Sequence, residues 1–222
     1  MVIAGDGSSN SQQANTLDLR LWDKDQQGKF DNAIATKFAD NSFDIVMTNP
    51  PFAGDVSSGS GYLGYYAVAR DKKQKTKATE KRDVLFLERN LRFLKPGGRM
   101  AIVLPQGRFN NSSDKELREY IAQECRILGV LGLHGNSFKP YTGTKTSVLL
   151  VQKWDAKKCP KLDDYPIFFA TNTKPVKDNS GSYIGNNTQD TLAKSDLPQI
   201  AEAFAEFAKK ENLSFYHSSF FQ

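Results

Sequence analysis

The stretch FDIVMTNPPF, residues 43–52, leads a short apolar run into an asparagine, a proline pair and an aromatic ring. Asp44 to Thr48 is rich in β-branched residues and is closed by the prolines, which predicts a buried strand ending at Asn49. The prolines stiffen the chain that follows. Working outward, DVLFLERNLRFLKPGG (83–98) places Val84, Leu87, Leu91 and Leu94 on one face of a helix, widened by Leu85, Phe86 and Phe93. The Pro96-Gly97-Gly98 cluster is expected to stop that helix, and RMAIVLP (99–105) reads as a second buried strand. Strand, helix and strand in this order imply parallel pairing in a layered α/β sheet.

Farther on, SDKELREYIAQEC (113–125) predicts a helix whose Ser113 and Glu116 have capping-box spacing. RILGVLGL (126–133) and TSVLLVQKW (146–154) predict two more strands. The segment between them, HGNSFKPYTGTK, is too short for a crossover helix, so this pair is expected to be antiparallel. Beyond Trp154 the pattern loosens: YPIFFA (165–170) reads as an extra strand and DLPQIAEAFAEFAKK (196–210) as an amphipathic helix with Pro198 near its start. The closing SFYHSSFF (214–221) is aromatic enough to need packing.

At the other end, MVIA (1–4) looks like a short strand opening into the turn GDGSSN, and residues 11–42 read as polar loop with one short element near Ala33 to Phe38. So abrupt a start suggests a chain cut from a longer protein. The stretch after Phe52 lacks apolar periodicity, and between Arg70 and Arg82 it carries seven Lys or Arg against Asp71 and Glu80. It admits two readings, a solvated flexible loop or a contact with phosphates.

The gross numbers bound what the chain can be. Its 222 residues suffice for one sizeable domain, or one with an appendage. No apolar run approaches the roughly 20 residues of a membrane-spanning helix, and no secretory signal is visible, so a cytoplasmic protein is expected. The net charge of +5 suits an anionic partner without requiring one. Cys125 and Cys159 make neither a disulfide framework nor a metal site, and His134 and His217 do not cluster with them. No metal is expected.

In open α/β sheets ligands bind beyond the carboxyl ends of strands, where Asn49 falls. Its side-chain oxygen and the carbonyl of Pro50 are two acceptors that a proline-stiffened turn would hold at a fixed separation, which suits an NH2 group, and Pro51 adds rigidity. Phe52 offers a flat face to a planar heterocycle.

These residues resemble the catalytic tetrad of amino-methyltransferases that use S-adenosylmethionine and act on N6 of adenine in DNA. FDIVMTNPPF, FLKPGGRMAIVLPQG and FKPYTGTKTSVLLVQK, in this order, resemble the methylation subunit of type I restriction-modification systems. The match is close over residues 1–155 and loose beyond. It implies a partial Rossmann-like S-adenosylmethionine-dependent methyltransferase fold, α/β, with a mostly parallel sheet and an antiparallel C-terminal hairpin. Residues 1–155 would be the C-terminal part of the catalytic domain, and residues 156–222 a C-terminal extension.

By the same resemblance, Asn49 and Pro50 accept hydrogen bonds from the target amino group and Phe52 stacks on an adenine flipped out of the duplex. Phe138 matches a second aromatic against that base, or is a core residue anchoring its loop. Lys145 reaches a phosphate, or is solvated. AGDG resembles a segment whose acid approaches the cofactor, which gives Asp6 either that role or that of a turn former. The family's glycine-rich loop and its ribose-binding acid lie upstream of such a segment. The chain is therefore expected to hold the target-base half of the domain with an incomplete cofactor pocket, and to be inactive alone.

The implied partners are double-stranded DNA, a specificity subunit that reads the sequence, and a restriction subunit. Two other readings remain open: a protein-glutamine N5-methyltransferase, whose planar amide suits the same turn, and a non-catalytic nucleic-acid-binding or assembly fragment.

Overall fold

The computed structural model describes residues 15–18 and 39–215. The expected strand at Met1 to Ala4, the element near Ala33 to Phe38 and Asp6 lie outside them. A five-stranded sheet is built from β1 (Phe43–Thr48), β4 (Leu94–Pro105), β5 (Cys125–Gly132), β6 (Thr146–Lys153) and β7 (Phe168–Thr171), in the order β1-β4-β6-β5-β7. Helix α1 (Arg82–Phe93) makes the crossover from β1 to β4, which pair in parallel as its length dictates. Helix α2 (Gly107–Asn110) and helix α3 (Lys115–Glu124) follow β4.

The hairpin expected from the short 134–145 connection is present: β5 and β6 are antiparallel. β6, however, inserts between β4 and β5 and runs antiparallel to both, while β5 pairs with β7 in parallel. The expectation of a mostly parallel sheet is corrected among the described residues to a mixed one, with two parallel and two antiparallel pairings.

Val84, Leu85, Leu87 and Leu91 of α1 pack with Met100, Ile102 and Leu104 of β4 and with Leu149 and Val151 of β6. Each such side chain contributes about 1.5–3 kcal/mol by leaving water. The opposite face of the sheet presents Leu128 and Leu150, since neighbours on a strand alternate faces. These are covered by helix α5 (Leu197–Lys210), which follows the short helix α4 (Thr188–Ala193) and whose Phe204 and Phe207 meet Phe168 of β7 at ring distances of 5.4 and 5.7 Å. The extension thus adds a strand and a covering helix to the same sheet.

Several local expectations change. β1 is only half-buried: Val46 packs on the core, but Ile45 and Met47 face outward, Met47 at 81% exposure. α1 ends at Phe93, before the glycines, because Leu94 already pairs with Phe43; Pro96-Gly97-Gly98 form an irregular step inside β4, with Gly97 at φ +76°. Helix α3 begins at Lys115, and Ser113 lies in a 3-10 turn; Asp114 precedes the helix with its carboxylate turned to Arg108 instead of capping.

The largest change concerns residues 53–82. The stretch is ordered by a small antiparallel pair, β2 (Asp55–Ser57) with β3 (Thr79–Lys81), and it buries Leu63, Tyr66 and Ala69 completely. Glu88, itself buried in α1, accepts the backbone N–H groups of Ala67 and Val68 at 3.1 and 2.9 Å and pairs with Arg92 at 2.6 Å. A carboxylate that satisfies two loop amides and one guanidinium makes this a fixed loop.

Candidate active site

β1, β4, β5 and β7 run in one direction, so their carboxyl ends and the start of β6 share one end of the sheet. Asn49 to Phe52, the turn after Pro105, and the 133–145 loop converge there. Pro50 is buried, while Asn49 beside it is exposed and its side-chain amide has no hydrogen-bond partner among the described residues. An amide left free at a rigid corner is available to a ligand. Phe52 is half-buried, and its ring meets that of Phe138 edge to face, centroids 5.6 Å apart and planes at 87°. Two aromatics that are 86 positions apart in sequence are brought together beside Asn49.

Lys145 stands at the same end: its carbonyl accepts the N–H of Gln106 at 2.9 Å, tying the turn after β4 to the start of β6. Its ammonium is exposed and unpaired among the described residues. Gly54, at φ +100°, lets the Arg82 guanidinium lie against the backbone two residues beyond Phe52; a methyl group there would come within 3.1 Å of it. Arg82, Lys73 and Lys75 are exposed cations without side-chain partners among the described residues. Lys77 is different, because its ammonium is taken by the carbonyl of Val68 at 2.9 Å and by Glu80 at 2.7 Å. It serves the loop and not its surface.

The supports of the site were not read from the sequence. Asp83, fully buried in the first turn of α1, receives Arg108 of α2 through two hydrogen bonds of 2.7 and 2.9 Å, and Arg108 also reaches Asp114 at 3.0 Å. Burial works against the Arg108 charge, yet the two carboxylates outweigh it and raise its pKa. The signal was present: Asp83 lies four residues before Leu87, on the apolar stripe, where an acid needs a partner. Asn136 and Asn172, both buried, hold the 133–145 loop to the extension and carry no sequence pattern that marks them.

Asn-Pro-Pro-Phe thus stands at the carboxyl end of β1 in a mixed α/β sheet. Residues 9–219 match the N-6 DNA Methylase family model, and the chain belongs to that family. It is 29% identical over 143 residues to the methylase subunit of the type I restriction enzyme EcoEI of Escherichia coli, covering 62% of this chain and 27% of that protein. It is also 28% identical over 165 residues to the defense against restriction protein B of Escherichia phage P1, covering 73% of this chain and 7% of that protein. Among solved structures, the type I restriction-modification methyltransferase subunit of Streptococcus thermophilus shares the fold with a TM-score of 0.55 at 24% identity, over 86% of this chain and 34% of that one. The chain therefore spans about a quarter of the length of the EcoEI subunit and a smaller part of the phage protein.

Proposed function

We propose that this chain carries the target-base half of a DNA adenine-N6 methyltransferase, as part of the modification subunit of a type I restriction-modification system. The observation that carries the reading is the corner itself: an unbonded Asn49 amide on buried Pro50, with the Phe52 ring against Phe138, at the carboxyl end of β1. Family membership and the EcoEI methylase subunit support the choice of substrate.

The chemistry follows from the acceptors. The Asn49 amide oxygen and the Pro50 carbonyl accept the two N–H bonds of the adenine amino group. That draws the nitrogen lone pair out of conjugation with the ring and aims it away from the acceptors. S-adenosylmethionine, when bound, supplies a methyl group on a positively charged sulfur; the corner fits it, since so reactive a methyl asks the protein for acceptors and alignment and not for a strong base. Asn49 and Pro50 would hold that lone pair in line with the methyl the cofactor would supply, and the nitrogen would give up one proton to solvent as it is methylated and the donor is left a neutral thioether. Phe52 holds the base plane by stacking, and Phe138 turns from its edge-to-face contact to admit the base. Asp6, the residue proposed for the cofactor, lies outside the described residues. Double-stranded DNA is the substrate; a specificity subunit supplies sequence reading, and a restriction subunit completes the assembly.

The test is transfer of a labelled methyl group to plasmid DNA by this chain, alone and co-expressed with the remainder of its system. Label in N6-methyladenine that falls about 100-fold or more in Asn49→Ala is expected, the scale on which losing one aligned hydrogen-bonding group acts. Label appearing in protein glutamine, or an undiminished rate in the variant, would defeat the reading.

A further inference from the structure

Three residues beyond Phe138, Tyr141 is 92% exposed, although a tyrosine ring ordinarily buries most of its area. A mobile loop tip would explain such a ring trivially, but this loop is held on every side. The N–H of Thr142 donates to the carbonyl of Phe138 at 3.1 Å, closing a turn around residues 139–141. The Thr142 and Thr144 hydroxyls bond each other at 2.9 Å. From the extension, the Lys177 ammonium donates to the carbonyl of Lys139 at 3.0 Å, and Asn136 donates to the Lys177 carbonyl at 3.2 Å and to the Asn179 side chain at 3.1 Å. Gly181, at φ +94°, backs the Pro140 ring so closely that a methyl group there would stand 2.5 Å from the Pro140 nitrogen. The chain thus spends an ordered network on presenting one bare aromatic ring to solvent.

Its surroundings narrow what the ring is for. Its neighbours along the chain are Lys139, Pro140, Thr142, Gly143, Thr144 and Lys145, hydroxyls and cations with no second large apolar side chain among them, and the exposed Tyr183 lies on the 177–183 hairpin under the Lys177 ammonium. A protein-docking patch would be contiguous and apolar. A single flat ring between lysines fits a stack of bases with phosphates on either side. It stands, moreover, at the rim of the corner where Phe52 and Phe138 meet.

We propose that Tyr141 is a wedge that enters the base stack of duplex DNA and fills the gap left by the base taken into the Asn49 corner, with Lys139 and Lys145 on the neighbouring phosphates. The inference rests on the nucleic-acid reading of that corner and deepens it by naming the residue that holds the duplex open. A flipped base leaves its neighbours unstacked, and a ring in the vacancy recovers part of what was lost. The wedge therefore acts on the gap, whereas Asn49 acts on the base.

The two roles separate on DNA that has a gap and no base. Binding of the full 222-residue chain to a fully paired duplex and to the same duplex with one abasic site is measured by fluorescence anisotropy. The wild-type chain is expected to prefer the abasic duplex by about tenfold, the scale of one base–aromatic stack. Tyr141→Ala should lose the preference, and Tyr141→Phe should keep it because the ring remains. Circular dichroism confirms folding of each variant, which the exposure of Tyr141 favours. Equal binding of both duplexes by the wild-type chain, or a preference that survives Tyr141→Ala, would overturn the wedge and leave the methyltransferase reading standing. Absence of DNA binding by the wild-type chain would instead overturn the nucleic-acid reading and the wedge with it.

Discussion

Asp83→Ala is the substitution whose cost the structure fixes most closely. Asp83 is fully buried and receives two hydrogen bonds from Arg108, at 2.7 and 2.9 Å. Truncating one member of a buried ion pair costs about 3–5 kcal/mol, because the other charge is left in a poorly solvated place. Here the stranded group is Arg108, which keeps Asp114 at 3.0 Å and 16% of its side-chain surface in water. Those two facts put the expected loss near the lower bound, about 3 kcal/mol. Domains of this kind are stable by about 5–15 kcal/mol, so the variant should still fold. Urea unfolding followed by fluorescence of the aromatic core measures the loss directly, and at a slope of about 2 kcal/mol/M the midpoint should fall by about 1.5 M. Asp83→Leu combined with Arg108→Met should recover at least half of it, since an apolar pair leaves no charge stranded. A loss under about 1 kcal/mol, the level of an exposed pair, would refute the argument that this bond holds α2 against α1.

Gly181→Ala should cost about 1–3 kcal/mol in urea unfolding, because it adds a methyl group at positive φ against the Pro140 backbone; the loop lies away from the Asp83 pair, so the two losses should add. Among the cations, Lys73→Ala and Lys75→Ala should each lower the slope of log affinity for DNA against log salt by about 0.9, whereas Lys77→Met should destabilise the chain and leave the slope unchanged. Asp196 gives a pH dependence. Burial acts to raise its carboxyl pKa, but donors from Thr173, Asn172 and Lys174 outweigh it and hold the group well below the usual carboxylate range. A depressed folded value means that its stabilisation is fully present above the unfolded value of about 3.9 and is lost as pH falls below it. The melting temperatures of wild type and Asp196→Asn should therefore differ above about pH 4 and converge beneath it.

The elements that the sequence made legible were those whose burial is periodic. The α1 stripe, the apolar runs of β4, β5 and β6, and the amphipathic face of α5 each follow the period of their own backbone, and each was placed to within a few residues. The order of the sheet was not legible, because insertion of β6 between β4 and β5 is decided by which strand edges remain open and not by any local pattern. Residues 53–82 were misread for a related reason: Leu63, Tyr66 and Ala69 are irregularly spaced, and what orders them is the buried carboxylate of Glu88, some twenty residues distant. At the candidate site, Asn49 to Phe52 stood out in the sequence because it sets acceptors beside a proline-stiffened turn at a strand end. Tyr141 was not, since exposure belongs to the fold and not to the residue.

The same contrast bears on residues 156–222, which read from sequence as an extension. Asn172, just past β7, donates its N–H to the carbonyl of Gly132 at 2.8 Å and accepts the N–H of His134 at 3.3 Å, while its own side-chain NH2 bonds Asp196 before α5. Asn136 repeats the arrangement from the other side, reaching Lys177 and Asn179. Both asparagines are buried, and a buried amide without partners costs about 1–3 kcal/mol. The 133–145 loop, which carries Phe138, Tyr141 and Lys145, is thus held by the extension as well as by β6 and the turn after β4. The placement of these three residues depends on how firmly residues 172–196 hold the loop. The extension belongs, in energy and in position, to the site.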